Sequence, residues 1–219
     1  MCGRFNQTAS GDEIAEAFSL EATPALAPRY NIAPTQPIAV IVLDPAAGRR
    51  LVERKWGLVP RDALGKERGF INARAESAAD KPAFSEAFAE RRCLVLATGF
   101  YEWQQVDARR RQPWLFRLAA GGPFAFAGLW EPPAALPQAV ATCTILTTQP
   151  NDVTRPVHDR MPVILAPASY ARWLDPSLRT REELSALLAP YPAESMAAYP
   201  VSTRVNNPAF DDPGCLAPA

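Results

Sequence analysis

The sequence has no apolar run near the ~20 residues needed to cross a bilayer. Its opening, Met1-Cys2-Gly3-Arg4-Phe5-Asn6-Gln7, lacks the apolar stretch of a secretory signal. These two absences predict a cytoplasmic protein with no membrane partner. Histidine occurs once, and the four cysteines, Cys2, Cys93, Cys143 and Cys215, form no Cys-x-x-Cys pair. No metal site is therefore expected, and nothing else in the sequence points to a cofactor. Cys93 and Cys143 sit in apolar runs that read as core strands, and all four cysteines read as thiols in a reducing compartment. Net charge is also missing: 23 basic residues balance 23 acidic ones. This argues against a protein that coats nucleic acid by charge alone, and leaves room for a few well-placed arginines. Lysine is scarce and arginine abundant, which suits bidentate contacts to phosphate.

A chain of 219 residues can bury a core of useful size, and no linker marks a boundary, so a single domain over 1–219 is expected. Proline is plentiful, 23 residues against a usual share of ~5%. The prolines are spread along the chain, which predicts many short elements joined by rigid turns. Ser10–Leu20 reads as a helix capped by Ser10, with Ile14, Ala17 and Phe18 on one face. Pro37–Leu43 and Arg50–Trp56 read as strands around a turn at 44–48. Further strands are expected at Arg92–Thr98, Trp114–Leu118, Phe124–Trp130, Val140–Thr147 and Met161–Leu165. Helices are expected at Ala168–Leu174 and at Arg181–Leu188, the latter with a capping-box start at Thr180. Strands outnumber helices and no regular βαβ alternation is present. The fold class is α+β with a mainly antiparallel sheet.

Four residues carry candidate chemistry. If Met1 is removed, Cys2 presents an α-amine and a thiol on one residue. Their ordinary pKa values of about 8 and 8.5 leave both a usable nucleophilic fraction near neutrality. Together they convert an aldehyde first to an imine and then to a five-membered thiazolidine, so a substrate with a free aldehyde is implied. Against this, many termini fray, and Cys2 alone would prove little. Glu102 lies in Gly99-Phe100-Tyr101-Glu102-Trp103; apolar surroundings would raise its pKa, whereas a strand-end position would leave it on the surface. His158 is the one side chain with an unperturbed pKa near neutrality, and Asp159 is placed to orient it, although sequence neighbours usually point apart. In Asn72-Ala73-Arg74-Ala75-Glu76, Asn72 reads as an orienting hydrogen-bonder and Arg74 as a phosphate contact, or equally as a turn residue and an exposed ion-pair member.

In order, the chain carries Cys2-Gly3-Arg4-Phe5, Tyr30-Asn31-Ile32-Ala33-Pro34-Thr35 and Trp56-Gly57-Leu58-Val59-Pro60. Ile71-Asn72-Ala73-Arg74-Ala75-Glu76 and Gly99-Phe100-Tyr101-Glu102-Trp103 follow, then Thr147-Thr148 with Asn151, His158-Asp159-Arg160-Met161-Pro162, and Val201-Ser202 with Val205-Asn206. This ordered set closely resembles the SRAP family, named for "SOS response-associated peptidase", and the resemblance runs from Cys2 to about Asn206. It implies a bifurcated antiparallel sheet forming a pseudo-barrel flanked by helices. It also implies covalent trapping of abasic sites in single-stranded DNA through Cys2, as a thiazolidine, with lyase-type chemistry from the imine. By the same resemblance Cys2, Asn72, Glu102 and His158 form the reactive pocket. Arg4, Arg74 and Arg160 grip phosphates, Thr147 adds a hydroxyl contact, and Pro34 and Trp103 form a wedge at a single-strand/double-strand junction. A monomer, associated with the nucleoid when bound to DNA, is expected. One departure is the absence of a tryptophan soon after Pro60, where the chain reads Arg61-Asp62-Ala63-Leu64. An autocatalytic cysteine peptidase and a non-enzymatic reader of modified cytosine in DNA are the alternatives.

Overall fold

The computed structural model describes residues 2–61, 69–133 and 140–219; Met1 and the Asp62-Ala63-Leu64 segment lie outside the described residues. The strands in chain order are β1 (Phe5–Gln7), β2 (Arg29–Ile32), β3 (Pro37–Asp44), β4 (Gly48–Trp56), β5 (Asn72–Arg74), β6 (Arg92–Ala97) and β7 (Gly99–Gln105). They continue as β8 (Arg111–Leu118), β9 (Phe124–Glu131), β10 (Thr142–Thr148), β11 (Met161–Pro162), β12 (Ile164–Leu165) and β13 (Met196–Pro200). The helices are α1 (Gly11–Phe18), α2 (Ala75–Ala78), α3 (Ser85–Glu90), α4 (Tyr170–Leu174) and α5 (Arg181–Ser185). None of them is long and apolar enough to cross a membrane.

Local chemistry explains most of these boundaries. The Ser10 hydroxyl accepts from the Glu13 N–H, and the Glu13 carboxylate accepts from the Ser10 N–H at 2.7 Å. This reciprocal cap starts α1, and Ile14 and Phe18 form its buried face. At the β3–β4 turn, Asp44 accepts from the N–H groups of Ala46 and Ala47, and Gly48 takes φ 69°. The expected strand Met161–Leu165 is divided. β11 pairs with β10, β12 pairs with β9, and between them the Val163 N–H bonds to Leu146. The change of partner falls at Val163, whose N–H still reaches β10 while its carbonyl accepts from the Ala127 N–H of β9. The expected helix at 168–174 begins as a 3-10 turn over Pro167–Ser169, and that at 181–188 stops as an α-helix at Ser185.

Two sheets result. The first has the order β13-β8-β7-β1-β2 and is antiparallel throughout. The second has the order β11-β10-β4-β3-β6-β9-β12, with β5 beside β10. Only the pairings of β10 with β4 and with β5 are parallel among the described strands. Because β10 also pairs with β9, the strands run around a ring. The β10–β4 and β3–β6 links are each just two residue pairs long, so the ring is not a clear barrel. The class is α+β with a mainly antiparallel, bifurcated sheet.

Between the sheets lies a core rich in aromatics, with Phe5, Trp56, Phe100, Phe116, Phe124 and Phe126 packed around Cys2, Cys93 and Cys143. A second core joins the larger sheet to the helices. Buried Arg92 ties them: its guanidinium donates to carbonyls at the ends of α3 (Phe88, Ala89) and α4 (Trp173) and to those of Asp175 and Leu178. These are the carbonyls that helix ends leave unsatisfied. Gly128, in the middle of β9, is closely packed in the aromatic core. A Cβ there would lie 2.8 Å from both Cys93 Sγ and Val95 Cγ2. Gly128→Ala should therefore destabilise the fold by roughly 1–3 kcal/mol. That corresponds to a fall of about 3–10 °C in the thermal midpoint, readable by calorimetry.

Candidate active site

The N-terminus is built into the fold. β1 lies between β2 and β7, with Phe5 opposite Ile32 and Phe100. The register continues backwards, since the Tyr101 N–H donates to the Arg4 carbonyl at 2.9 Å, and this brings Gly3 level with Glu102. Phe5 anchors the segment edge-on against Trp56 and Phe126, at centroid distances of 5.1 and 5.8 Å. Cys2 is consequently 0% exposed instead of frayed. Asn72, at the start of β5, donates from Nδ2 to the Cys2 carbonyl at 2.8 Å. The orienting hydrogen-bonder expected at Asn72 thus bonds to the Cys2 carbonyl. Its Oδ1 is buried with no partner among the described residues, an acceptor left open.

Glu102 is on the inter-sheet face of β7, level with Trp114 of β8, and is 4% exposed. Burial pushes its carboxyl up to about 7, against the pull of the chain's amino terminus. Burial likewise pushes the Cys2 thiol well above its ordinary value, and the neighbouring Glu102 charge pushes it further. His158 Nε2 lies 3.9 Å from Glu102 Oε2, and Nδ1 lies 2.9 Å from Asp159 Oδ1. The Arg160 N–H also approaches Nδ1, at 3.1 Å. Burial and the amino terminus lower the His158 pKa, while Asp159 opposes the shift. The sequence neighbours His158 and Asp159 thus do meet. The result is a thiol, a carboxyl that titrates near neutrality and an imidazole in one place, an arrangement able to move protons.

The remaining candidates fall into separate groups. Arg4 donates to Asn31 Oδ1 and to the Val205 carbonyl, both at 2.7 Å, and its guanidinium lies 5.8 Å from the Trp103 ring centre. Trp103 is fixed by its indole N–H, which donates to Asn206 at 2.7 Å. Pro34 is in the turn between β2 and β3, where Thr35 takes φ 74°. Thr147 is buried, and its hydroxyl approaches the Ala73 carbonyl at 3.4 Å. Arg160 makes a two-pronged ion pair with Glu76, at 2.7 and 2.8 Å, and also bonds to Thr147. Arg74 is exposed beside them. Among the described residues no group of three His, Cys, Asp or Glu side chains could hold a metal ion.

Supporting roles escaped the sequence reading. Gln104 points to the same face as Glu102, accepts from the Trp114 indole and donates to the Pro156 carbonyl, tying β7 to the loop that carries His158. Strand alternation from Glu102 was the available signal. Asn151 pins that loop by accepting from Val153 and Thr154 and donating to the Tyr191 carbonyl. Glu76, the partner of Arg160, carried no signal beyond its place in the motif.

Comparison with known proteins bears on this arrangement. Residues 1–208 match the family described as SOS response associated peptidase (SRAP). The chain is 40% identical over 221 residues to the Bacillus subtilis protein named abasic site processing protein YoqW, covering 97% of each. It is 31% identical to the chicken abasic site processing protein HMCES, covering 78% of this chain and 58% of the longer relative. The crystal structure of a Bacteroides thetaiotaomicron protein superposes with a TM-score of 0.85 at 24% identity over all of both chains, which speaks to fold. That of a Bordetella bronchiseptica phage-related protein gives 0.74 at 28% identity, covering 91% and 94%. The chain belongs to the SRAP family.

Proposed function

We propose that this chain, acting as one domain, traps abasic sites in single-stranded DNA covalently through Cys2 once Met1 is removed. The carrying observation is the burial of an N-terminal thiol beside a carboxyl whose pKa is about 7. The names of the relatives supply the substrate class. The Cys2 amine attacks the open-chain sugar aldehyde, water leaves to give the imine, and the thiol adds to the same carbon as its proton passes to the nitrogen. Glu102 shuttles protons in both steps. His158 protonates the sugar ring oxygen during opening, and the open acceptor of Asn72 positions the amine. Proton loss beside the imine gives the competing strand cleavage. Phosphates are held by Arg4, Arg74 and Arg160 with the Thr147 hydroxyl, and Pro34 and Trp103 form the wedge at a junction. Both His158 ring nitrogens approach carboxylates, and burial keeps the thiol protonated, so the pair needed for a cysteine peptidase is not favoured.

Single-stranded DNA carrying one abasic site should give a band shifted on a denaturing gel with the parent protein, and none with Cys2→Ala. No shifted band, from protein whose mass confirms a free Cys2, would reject the proposal; lesion binding that survives Cys2→Ala without any crosslink in the parent would favour the non-enzymatic reader. Cys2→Ala keeps an α-amine, so it should still nick the strand, and absence of nicking would remove the imine step.

Glu102→Gln should slow crosslinking by ~10²–10⁴-fold and leave DNA binding intact. The parent rate should change with pH around 7 and that limb should vanish in Glu102→Gln; identical profiles would remove Glu102 from the chemistry. Stability gives an independent check of the same burial. Because the folded state holds the Glu102 proton more tightly than the unfolded chain, stability falls as pH rises from about 4.5 to 7. The loss is about 3 kcal/mol at most and should be missing from Glu102→Gln in urea titrations.

A further inference from the structure

Strand alternation places Trp103, Gln105 and Arg111 on the face of the β7–β8 hairpin opposite to Glu102, because Trp103 pairs with Pro113 and Gln105 with Arg111. With Ala108, Arg109 and Asn206 these side chains line an open cleft of about 600 Å³. No residue of the reactive pocket lines it.

The hairpin tip concentrates positive charge in a chain whose net charge is zero. Its sequence is Asp107-Ala108-Arg109-Arg110-Arg111. The single acid is already committed: Asp107 Oδ1 accepts from the Arg109 and Arg110 N–H groups at 2.9 Å, and Oδ2 lies 3.5 Å from Arg110 Nε. Arg111 is oriented by one bond, from Nε to Gln105 Oε1 at 2.9 Å. Its terminal nitrogens have no further partner among the described residues. The Arg109 side chain likewise makes no hydrogen bond or ion pair among the described residues. At the other end of the cleft the Trp103 ring is held still by Asn206 and flanked by Arg4.

Two guanidinium groups whose terminal nitrogens have no partner among the described residues and a fixed aromatic ring, in one open cleft, suit a chain of phosphates bearing flat bases. We infer that this cleft is a second nucleic-acid contact, in which Arg109 and Arg111 hold phosphates of the lesion-bearing strand after it passes the rim of β7. The inference rests on the DNA-binding reading above and extends it to a surface outside the reactive pocket. An acidic peptide would use the two cations but leave the ring without a role.

The test measures binding of the whole protein to a single-stranded oligonucleotide containing a tetrahydrofuran site. That analogue has no aldehyde, so binding is read apart from crosslinking. Arg109→Ser with Arg111→Ser should weaken binding roughly tenfold at low salt and flatten the log–log salt slope by about 1.4, at ~0.7 per phosphate lost. The double lysine variant should keep the parental slope. Parental affinity and slope in the serine variant would overturn the inference. So would an equal loss in the lysine variant, since charge would then not be what the cleft supplies. A parallel gel with a true abasic site separates the two proposals: a parent that binds the analogue in this charge-dependent way but never crosslinks leaves the cleft standing and removes the covalent reading.

Discussion

Everything in the reactive pocket depends on the N-terminal strand being held between two others. Three residues of β1 would not stay folded alone. They are held because Phe5 fills a gap between Trp56 and Phe126, and because both edges of the strand are paired. Arg4 adds a polar lock, reaching the carbonyl of Val205, while Asn31 donates to Val205, Asn207 and Phe210. Asp211 in turn accepts from the Tyr30 and Asn31 N–H groups. The last turns of the chain are therefore part of the support for its first residues, and long-range pairing, not local propensity, fixes the terminus.

The same burial sets the electrostatics. A buried carboxyl lacks the hydration that its ionised form needs, and the penalty appears as a pKa of about 7 for Glu102. A solvent-exposed glutamate at that strand position would be ionised throughout the neutral range and could not donate a proton. The cost falls on the folded state and is borne by the packing around it. Phe100 stacks on Phe116 at 5.0 Å, and Gln104 braces the neighbouring loop.

The elements most legible in the sequence are those whose signal is local. The α1 cap, the β3–β4 hairpin and the apolar strands β6, β9 and β10 follow from capping, turn chemistry and apolar runs. β1, β2, β5 and β13, and the short helices α2 and α3, gave no such signal, because three to six residues show no usable period and their pairing partners are distant. The site divides in the same way. Cys2, Glu102 and His158 stood out by residue type and as members of the ordered motif set, but the nature of their contacts did not. Asn72 bonds to a carbonyl and not an amine, His158 meets its own neighbour Asp159, and the Arg160 fork is taken by Glu76. The His158–Asp159 contact is local, whereas the Asn72–Cys2 and Arg160–Glu76 contacts join residues 70 and 84 positions apart, a fact of topology that no segment of sequence contains.

Burial of Cys2 also bears on the order of the proposed steps. A thiol held protonated by its surroundings is a weak nucleophile, so it is poorly suited to attack first. The amine, with an ordinary pKa of about 8, keeps a usable free-base fraction near neutrality and is the better first nucleophile. The imine, once protonated, is an electrophilic carbon held within reach of the thiol of the same residue. Ring closure in the proposed sequence is then intramolecular, and that proximity offsets the weak nucleophilicity of a protonated thiol. In the proposed order of steps, ring closure is the consequence of lesion capture.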